Sequence, residues 1–238
     1  MFPSAGAAEA AAVTSLYNRI AEDYDHALPV HITEHYLHRR VDLIGQYLPS
    51  GTILDVGCGT GRLAARLMEY GYSAVGLDAS IGMLEVMSKQ TSVVAVAGYA
   101  QALPFRTDNF DLVLSIASLH HIADPSRVAT TIAEMHRVTR RGGFVIIWDH
   151  NPLNPYWPLI MRRVPQDSGD ERLISLGEIL RTLHGLGVQK IEAKRMGFVP
   201  DFVPQRAMPL IRLLEQTAER VPLLRKIAAH NVLIARKV

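Results

Sequence analysis

The stretch Ile53-Leu54-Asp55-Val56-Gly57-Cys58-Gly59-Thr60-Gly61 decides the fold of this 238-residue chain. Its first half belongs to an apolar segment, Thr52–Val56, that has the character of a buried strand. Its second half holds three glycines and leads into a helical pattern at Arg62–Tyr70, which Gly71 is placed to end. Glycines allow a tight turn and close approach of a ligand, and a helix N-terminus offers unpaired N–H groups. The stretch therefore predicts a strand–loop–helix unit with a ligand at the loop.

Apolar runs alternate with helical patterns after the loop. Helices are predicted from a Ser80 cap to about Lys89, and from an Asp124 cap with Pro125 to about Thr139, where Arg140-Arg141-Gly142-Gly143 marks a basic last turn. Continuous apolar runs are typical of strands buried on both faces, so the fold class is α/β, with a doubly wound, mostly parallel sheet. The further strands of this region are predicted at Ser73–Asp78, Val93–Ala97, Phe110–Ile116 and Phe144–Trp148.

The two ends of the chain add helices and further strands. A small-residue lead-in at 1–12 is expected to fray, and the first helices are predicted at Ala11–Tyr24 and His35–Leu48. Toward the C-terminus the patterns predict a helix at Leu176–Leu186, strands at Lys190–Phe198 and Asn231–Arg236, and between them a helical Pro204–Ala229, broken at Pro209 and Pro222.

Charge is distributed unevenly along the chain, although the net charge is only +2. Residues 1–180 carry 14 Lys/Arg and 19 Asp/Glu, a balance of −5, whereas residues 181–238 carry 11 and 4, a balance of +7. This asymmetry indicates an anionic acceptor or surface, or else a solvated basic face. No apolar run is long enough for a transmembrane segment, no nucleic-acid-binding motif is visible, and the single cysteine, Cys58, fits a cytoplasmic location.

The spacing of the loop glycines separates two classes of ligand. A nicotinamide site has the pattern G-x-G-x-x-G, whereas Gly57, Gly59 and Gly61 give G-x-G-x-G. Asp55 would also sit poorly beside a pyrophosphate but would suit an ammonium group. Asp78 ends the second predicted strand, where an acid binds ribose hydroxyls; the alternative is a capping carboxylate before Ser80.

The motifs together resemble the class I S-adenosylmethionine (SAM)-dependent methyltransferases, and most closely the ubiquinone/menaquinone-biosynthesis subgroup that acts on small molecules. The matching pieces are "ILDVGCGTG" at 53–61, "VGLDAS" at 75–80, "AQALPF" at 100–105, "FDLVLS" at 110–115, "SLHHI" at 118–122 and "RVTRRGGFVII" at 137–147. "YNRIAEDYD" at 17–25 resembles a helix that closes over the cofactor in that group. The resemblance implies a Rossmann-like sheet of order 3-2-1-4-5-7-6 with strand 7 antiparallel.

The resemblance also assigns cofactor-binding residues by position. The loop, with Asp55, Gly57, Cys58, Gly59 and Gly61, would hold the methionine end of SAM, and Asp78 would hold its ribose. The adenine would meet Ala79, Met83 and Ala100, the sulfonium would lie above Ser115 and Ala117, and Tyr24 would belong to the lid. Tyr99 stands where the subgroup usually has an acid, so the adenine contact there would be stacking or a hydroxyl hydrogen bond.

Three histidines follow the ends of the fourth and fifth strands and are the candidate catalytic bases. His121 or His150 is predicted to take a proton from the acceptor, and His120 is expected to turn the other way, since neighbours in an extended loop face opposite sides. Each also has a purely structural interpretation. His31, His35 and His38 share a helical face, but no acidic cluster accompanies them, so no metal is expected.

We therefore expect SAM-dependent methyl transfer to a small-molecule or lipid-like acceptor; the alternatives are a nicotinamide-dependent oxidoreductase and a non-catalytic SAM-binding protein. One domain is expected over 1–238: a helical cap at 1–50, the SAM-binding core at 51–150, and an acceptor-side loop and C-terminal strands with a helical insertion at 151–238. In that insertion an apolar stripe is expected to pack on the core; the alternative is a cover over the acceptor or a peripheral membrane contact. The stripe comprises Leu210, Leu213, Leu214, Ala218 and Val221.

Overall fold

The computed structural model describes residues 5–161 and 171–238, with side chains from residue 9 onward except that of Lys190. Seven strands form one sheet of order β3-β2-β1-β4-β5-β7-β6, which confirms the predicted topology. Strand β7 runs antiparallel to β5 and β6, and the other pairs are parallel. The strands are β1 (Thr52–Val56), β2 (Ser73–Asp78), β3 (Val94–Ala97), β4 (Phe110–Ile116), β5 (Thr139–His150), β6 (Lys190–Met196) and β7 (His230–Arg236).

The helices cover both faces and the carboxyl edge of the sheet. They are α1 (Ala5–Ile20), α2 (Val30–Tyr47), α3 (Arg62–Glu69), α4 (Ile81–Gln90), α5 (Pro125–Val138), α6 (Trp157–Ile160), α7 (Leu176–Gly185), α8 (Met208–Arg220) and α9 (Pro222–Arg225), with 3-10 turns at Tyr24–His26, Leu119–His121 and Gln205–Ala207. The predicted caps are confirmed: Ser80 accepts from the Met83 N–H, and Asp124 from the Ser126 N–H. Gly71 is left-handed, with φ +87°.

Alternate residues of the central strands pack into different core layers. On β4, Leu112 and Leu114 join the layer formed with α2 and α3, while Val113 joins the layer formed with α5 and α7. All three are fully buried. The chain thus buries both faces of the sheet, and its carboxyl edge is left to form a site. No described helix is long and apolar enough to cross a bilayer.

Strand β5 begins earlier than predicted. Thr139 pairs with Phe110 of β4, and the register then shifts before Leu112 pairs with Phe144. The glycines allow this irregularity rather than ending a helix: Gly142 has φ +75°, and a Cβ on Gly143 would lie 2.7 Å from the Asp111 carbonyl oxygen. The expected basic last helical turn at 140–143 was therefore wrong.

Several helix ends also differ from the predictions, and α2 begins at Val30 instead of His35. Helix α1 already begins at Ala5, so residues 5–12 are helical rather than frayed, and residues 1–4 lie outside the described part. Pro209 lies in the first turn of α8, where a missing N–H breaks no intrahelical bond, so it starts the helix instead of interrupting it.

Helix α8 is turned opposite to the expected orientation. Leu210, Leu213 and Leu214 are 59%, 60% and 53% exposed, whereas Glu215 is 3% exposed. Helix α2 explains the rotation, because its His35 and Arg39 both bind the Glu215 carboxylate. The paired charges therefore face inward, and the prediction that the apolar stripe packs on the core was wrong.

Candidate functional site

A cavity of about 500 Å³ opens at the carboxyl edge of the sheet, under α1 and α2. Most of the predicted site residues line it: Tyr24, Asp55, Gly57, Cys58, Gly59, Asp78, Ala79, Tyr99, Ala100, Ala117, His120, His121 and His150. Gly61, Met83 and Ser115 do not line it. Met83 is 1% exposed and packs in a cluster with Ala21 and Val86, so it supports the wall from behind.

The glycine loop has the backbone that the sequence predicted. Gly57, Gly59 and Gly61 have φ of +77°, +55° and +76°. A Cβ on Gly57 would lie 2.2 Å from Ser118 Oγ, and one on Gly61 would lie 2.6 Å from Met87 Cγ. Gly59 faces open space by comparison, because the nearest atom to its Cβ position belongs to Tyr24 at 3.9 Å. The loop therefore needs glycine for packing at two positions and presents the third to the cavity.

Asp78 fastens this loop to the second strand. Its Oδ2 accepts from the Gly59 N–H and its Oδ1 from the Ser80 N–H, both at 2.8 Å. Burial raises the pKa of the carboxyl group. Asp78 therefore has the capping contact that was the alternative prediction. Its oxygens can still accept from ribose hydroxyls, because each carboxylate oxygen has two lone pairs.

Asp55 and Arg40 form an oppositely charged pair of groups in the cavity wall. Asp55 is 3% exposed, and burial raises the pKa of its carboxyl group to about 7. The positive charge of Arg40 lowers this pKa, and the negative charge of Asp78 raises it. Burial lowers the pKa of Arg40, and its Nε is buried without a hydrogen-bond partner among the described residues. Sequence reasoning missed Arg40, since beside Arg39 on a helix it looks like part of a solvated pair.

The N-terminal segment closes over the cavity, and its side chains contact the rest of the fold at several points. Asn18 Oδ1 accepts from Ser80 Oγ at 2.7 Å and from the Gly82 N–H at 2.9 Å. Thr60 Oγ1 donates to Asp25 at 2.9 Å. The Tyr17 hydroxyl lies 2.6 Å from Nε2 of His121. The lid thus contacts both the glycine loop and the histidines.

His120 and His121 face the same way, contrary to the expectation that they would diverge. Their ring centroids are 4.0 Å apart, and both side chains line the cavity. The reason is local: Leu119–His121 forms a 3-10 turn instead of an extended loop, so neighbouring side chains no longer alternate.

His120 is oriented by a buried carboxylate that sequence reasoning missed. Its Nδ1 lies 2.6 Å from Oδ1 of Asp149, and both residues are at most 2% exposed. Asp149 also accepts from the backbone N–H of Leu119 at 2.9 Å and of His150 at 2.7 Å. With Nδ1–H donated to the carboxylate, Nε2 is the proton-accepting nitrogen. Asp149 directly follows the predicted strand Phe144–Trp148, and no periodic pattern indicates its contact with a turn 29 residues away.

Three histidines near His120, namely His121, His150 and His230, are uncharged near neutral pH. His150 stacks between His120 at 4.2 Å and Trp157 at 3.7 Å. Burial, followed by repulsion from His120, holds the pKa values of His150 and His121 well below their usual range. Burial and then Arg40 lower the pKa of His230 to about 3.

One group of potential metal ligands is present among the described residues, away from the histidines of α2. Among the described residues, His120, Asp149 and His150 place one ligand atom each within 4.8 Å of the others. The Asp149 oxygens, however, already accept hydrogen bonds from His120 and three backbone N–H groups. His31 and His35 do not converge: His31 Nε2 contacts the Val203 carbonyl oxygen and His35 contacts Glu215.

Comparison with known proteins gives a consistent result. Residues 54–147 match the family described as "Methyltransferase domain". The chain is 31% identical over 163 residues to the demethylmenaquinone methyltransferase of Renibacterium salmoninarum, covering 64% of this chain and 67% of that protein. It is 30% identical over 182 residues to the enzyme of the same name from Mycobacterium marinum, covering 71% and 77%. The chain belongs to the class I SAM-dependent methyltransferases, within the quinone-biosynthesis type.

A solved structure supports the fold of this methyltransferase. The structure of a SAM-dependent methyltransferase from Thermotoga maritima, described as a possible histamine N-methyltransferase, has a TM-score of 0.71 at 18% identity, covering 95% of this chain and 100% of that one. At that identity the likeness shows the shared fold. The family membership favours the enzyme over the nicotinamide-dependent alternative, and S-adenosylmethionine is the cofactor.

The cavity of the methyltransferase fits SAM by the chemistry of its groups. The methionine end of SAM carries an ammonium and a carboxylate, and the wall provides Asp55 and the unpartnered Nε of Arg40. Gly59 gives close access to the backbone, and Asp78 lies beside it. Tyr99 lines the rim and is 50% exposed, so its adenine contact stays a prediction.

Proposed function

We propose that this methyltransferase transfers a methyl group from SAM to a flat, lipid-like phenol or quinol, and that His120 takes the proton of the acceptor. The Asp149–His120 pair, in the wall of the same cavity as the glycine loop, is the observation that carries the proposal. A carboxylate that fixes the tautomer of a histidine and stabilises its cation makes that histidine the favoured base of the cluster.

The cofactor half of the cavity binds and orients. Asp55 pairs with the ammonium, Arg40 with the carboxylate, and Asp78 with the ribose hydroxyls; Ala79, Tyr99 and Ala100 border the adenine. When bound, SAM supplies an electrophilic methyl group on its sulfonium. The protein then has to hold the nucleophilic atom of the acceptor in line with that methyl group, which is a matter of proximity and orientation.

The acceptor half has an aromatic and apolar lining. Trp157 and His150 are stacked with a 16° interplanar angle, and the other lining residues here include Tyr36, Tyr156, Ile160, Phe198 and Val199. Flat rings suit a flat acceptor, since aromatic pairs favour stacked or edge-on contact. Both relatives compared above are named demethylmenaquinone methyltransferase, which supports a quinol acceptor.

A phenolic or quinol oxygen is a better nucleophile, directly or through its ring carbon, once its proton is lost. The O–H proton moves to Nε2 of His120, and Asp149 stabilises the imidazolium that forms. Transfer to oxygen is then complete, whereas transfer to a ring carbon also requires that carbon to release its hydrogen as a proton, which restores the aromatic ring and leaves the oxygen to take a proton back. The two neighbouring imidazoles, His121 and His150, are neutral because of burial, and they offer hydrogen bonds to the acceptor without competing as cations.

The test is methyl transfer from labelled SAM to a panel of acceptors: a reduced short-chain demethylmenaquinol, a catechol, and a primary amine of similar size. The proposal expects product with the quinol or catechol and little with the amine. Transfer to the amine alone, or to none of the three, would refute it. Titration with SAM and with NAD, at the same protein concentration, checks the cofactor independently of the acceptor.

A further inference from the structure

The outer face of α8 and α9 is apolar and has no partner among the described residues. We name as the leucine face the side chains of Leu210, Leu213, Leu214, Leu223 and Leu224, which are between 43% and 71% exposed. Leu210, Leu213 and Leu214 follow the i, i+3, i+4 spacing that puts them on one side of α8. A contiguous exposed apolar patch of this kind is typical of a surface that binds another molecule or a membrane.

The acidic residues of the same segment all face inward. Glu215 accepts from His35 and from the Phe198 N–H, both at 2.8 Å, and it forms an ion pair with Arg39 at 2.9 Å. Glu219 accepts from Arg39 at 2.7 Å and from the Gly197 N–H at 2.8 Å. Asp201, the one remaining acid between residues 201 and 228, accepts from the Tyr156 hydroxyl. No negative charge of this segment is therefore left for the surface.

The basic residues of the segment all face outward. They are exposed, and within the described part of the chain none has a carboxylate within salt-bridge distance: Arg206, Arg212, Arg220, Arg225 and Lys226. None of them lines the cavity. Five of the 11 basic residues that follow residue 180 thus lie outside the cavity and in the same segment as the leucine face.

We infer that the leucine face docks on an anionic lipid bilayer. Exposed leucines and exposed cations in one surface segment suit the boundary between acyl chains and anionic headgroups. A second copy of this chain fits less well, because pairing two such faces would bring ten cations together without an acid between them. An anionic bilayer supplies both the apolar layer and the opposite charge.

The position of this face gives docking a use. The segment that leads from β6 to α8 lines the cavity at Phe198 and Asp201, and Phe202, which follows, is 73% exposed. A docked molecule would hold this side of the cavity close to the lipid. This delivery of the acceptor rests on the proposed function, whereas the docking itself does not.

The experiment is co-sedimentation with vesicles of phosphatidylcholine alone and of phosphatidylcholine doped with phosphatidylglycerol, without SAM or acceptor. The wild-type chain should bind the doped vesicles at least about tenfold more tightly, and high salt should weaken that binding. Leu213→Gln/Leu214→Gln and Arg212→Gln/Arg220→Gln should each lose about tenfold or more. The matched control is Val94→Gln/Arg106→Gln, which alters an exposed apolar and an exposed basic residue elsewhere and should bind as wild type.

Three results would overturn the inference. One is equal binding to both vesicles or to neither. Another is an equal loss in the control variant. The third is a dimer in light scattering that Leu213→Gln/Leu214→Gln converts to a monomer, since the face would then join two copies. SAM titration of every variant checks folding. Failure of methyl transfer to a quinol would leave these vesicle results unaffected, so the two proposals fail separately.

Discussion

The imidazole Nδ1 of His120 lies 2.6 Å from Oδ1 of Asp149, in the wall of the cavity that also contains the glycine loop. Asp149 holds the backbone of the turn as well, through the Leu119 N–H at 2.9 Å. One carboxylate therefore fixes both where His120 stands and which of its nitrogens accepts a proton. Among the described residues, no carboxylate lies at hydrogen-bond distance from His121 or His150, and Glu171 is 4.0 Å from Nδ1 of His121, so we propose His120 as the base.

The affinity for SAM should depend on pH through Asp55. Because its carboxyl group has a pKa of about 7, it is largely neutral at pH 6 and ionised at pH 8. Only the ionised form attracts the ammonium of SAM, so the dissociation constant should fall by about fivefold to tenfold across that interval. Asp55→Asn should bind weakly and lose this dependence. A wild-type dissociation constant that is flat between pH 6 and 8 would remove Asp55 from the ammonium.

Arg40 should be needed for the carboxylate of SAM. Arg40→Leu should raise the dissociation constant for SAM by about tenfold to a hundredfold, since a charge-assisted hydrogen bond contributes about 1.5–3 kcal/mol. S-adenosyl ligands that lack the carboxylate should bind both proteins equally. The control is Arg106→Leu, which changes an exposed arginine. If Arg40→Leu prefers SAM over the ligand without a carboxylate as strongly as wild type does, Arg40 does not bind the carboxylate.

The contact between Tyr17 and His121 should retain the cofactor. Tyr17→Phe removes a hydroxyl that lies 2.6 Å from His121 Nε2 and leaves the ring in place. The loss of about 0.5–1.5 kcal/mol should speed SAM release by about twofold to tenfold in stopped-flow displacement. Tyr70→Phe, at an exposed tyrosine, is the control. Identical release rates in all three proteins would show that this contact does not hold the lid.

The buried ion pairs of Glu215 should stabilise the fold. Glu215→Ala leaves His35 and Arg39 without this partner, and the free energy of unfolding should fall by about 3 kcal/mol. This is the low end of the range for breaking a buried ion pair, because Glu219 still binds Arg39. Burial alone would raise the pKa of Glu215, but the hydrogen bond from His35 and the charge of Arg39 lower it below 4.5. This contribution is therefore complete above about pH 4.5 and is lost as pH falls through the lowered pKa. The measurement is urea unfolding of both proteins; a free energy of unfolding that differs by less than about 0.5 kcal/mol between Glu215→Ala and wild type would contradict this prediction.

Local chemistry explains which features the sequence could predict. The strands Thr52–Val56, Ser73–Asp78 and Phe110–Ile116 were predicted with the bounds that the structure has, because apolar runs between glycines and caps leave little choice. The positive φ values of the loop follow from its glycines in the same way. Most of the cofactor half was thus available from residues 53–100.

The remaining features depend on contacts between distant segments. The direction of His120 depends on a 3-10 turn and on Asp149, and neither gives a periodic signal. The rotation of α8 was missed because apolar residues are expected to face inward, whereas His35 and Arg39, about 180 residues away, bind its acidic side. Arg40 became recognisable only once its burial beside Asp55 was known.

Single-turnover methyl transfer to a short-chain demethylmenaquinol by His120→Ala is the most direct test of the proposed chemistry. The account predicts a rate about 10²–10⁴-fold below wild type with the SAM dissociation constant unchanged, because the base is lost and the cofactor half is intact. His121→Ala, the matched neighbour in the same turn, should keep the rate within about tenfold of wild type. A wild-type rate in His120→Ala, together with a large loss in His121→Ala or His150→Ala, would contradict the account and move the base to one of those residues.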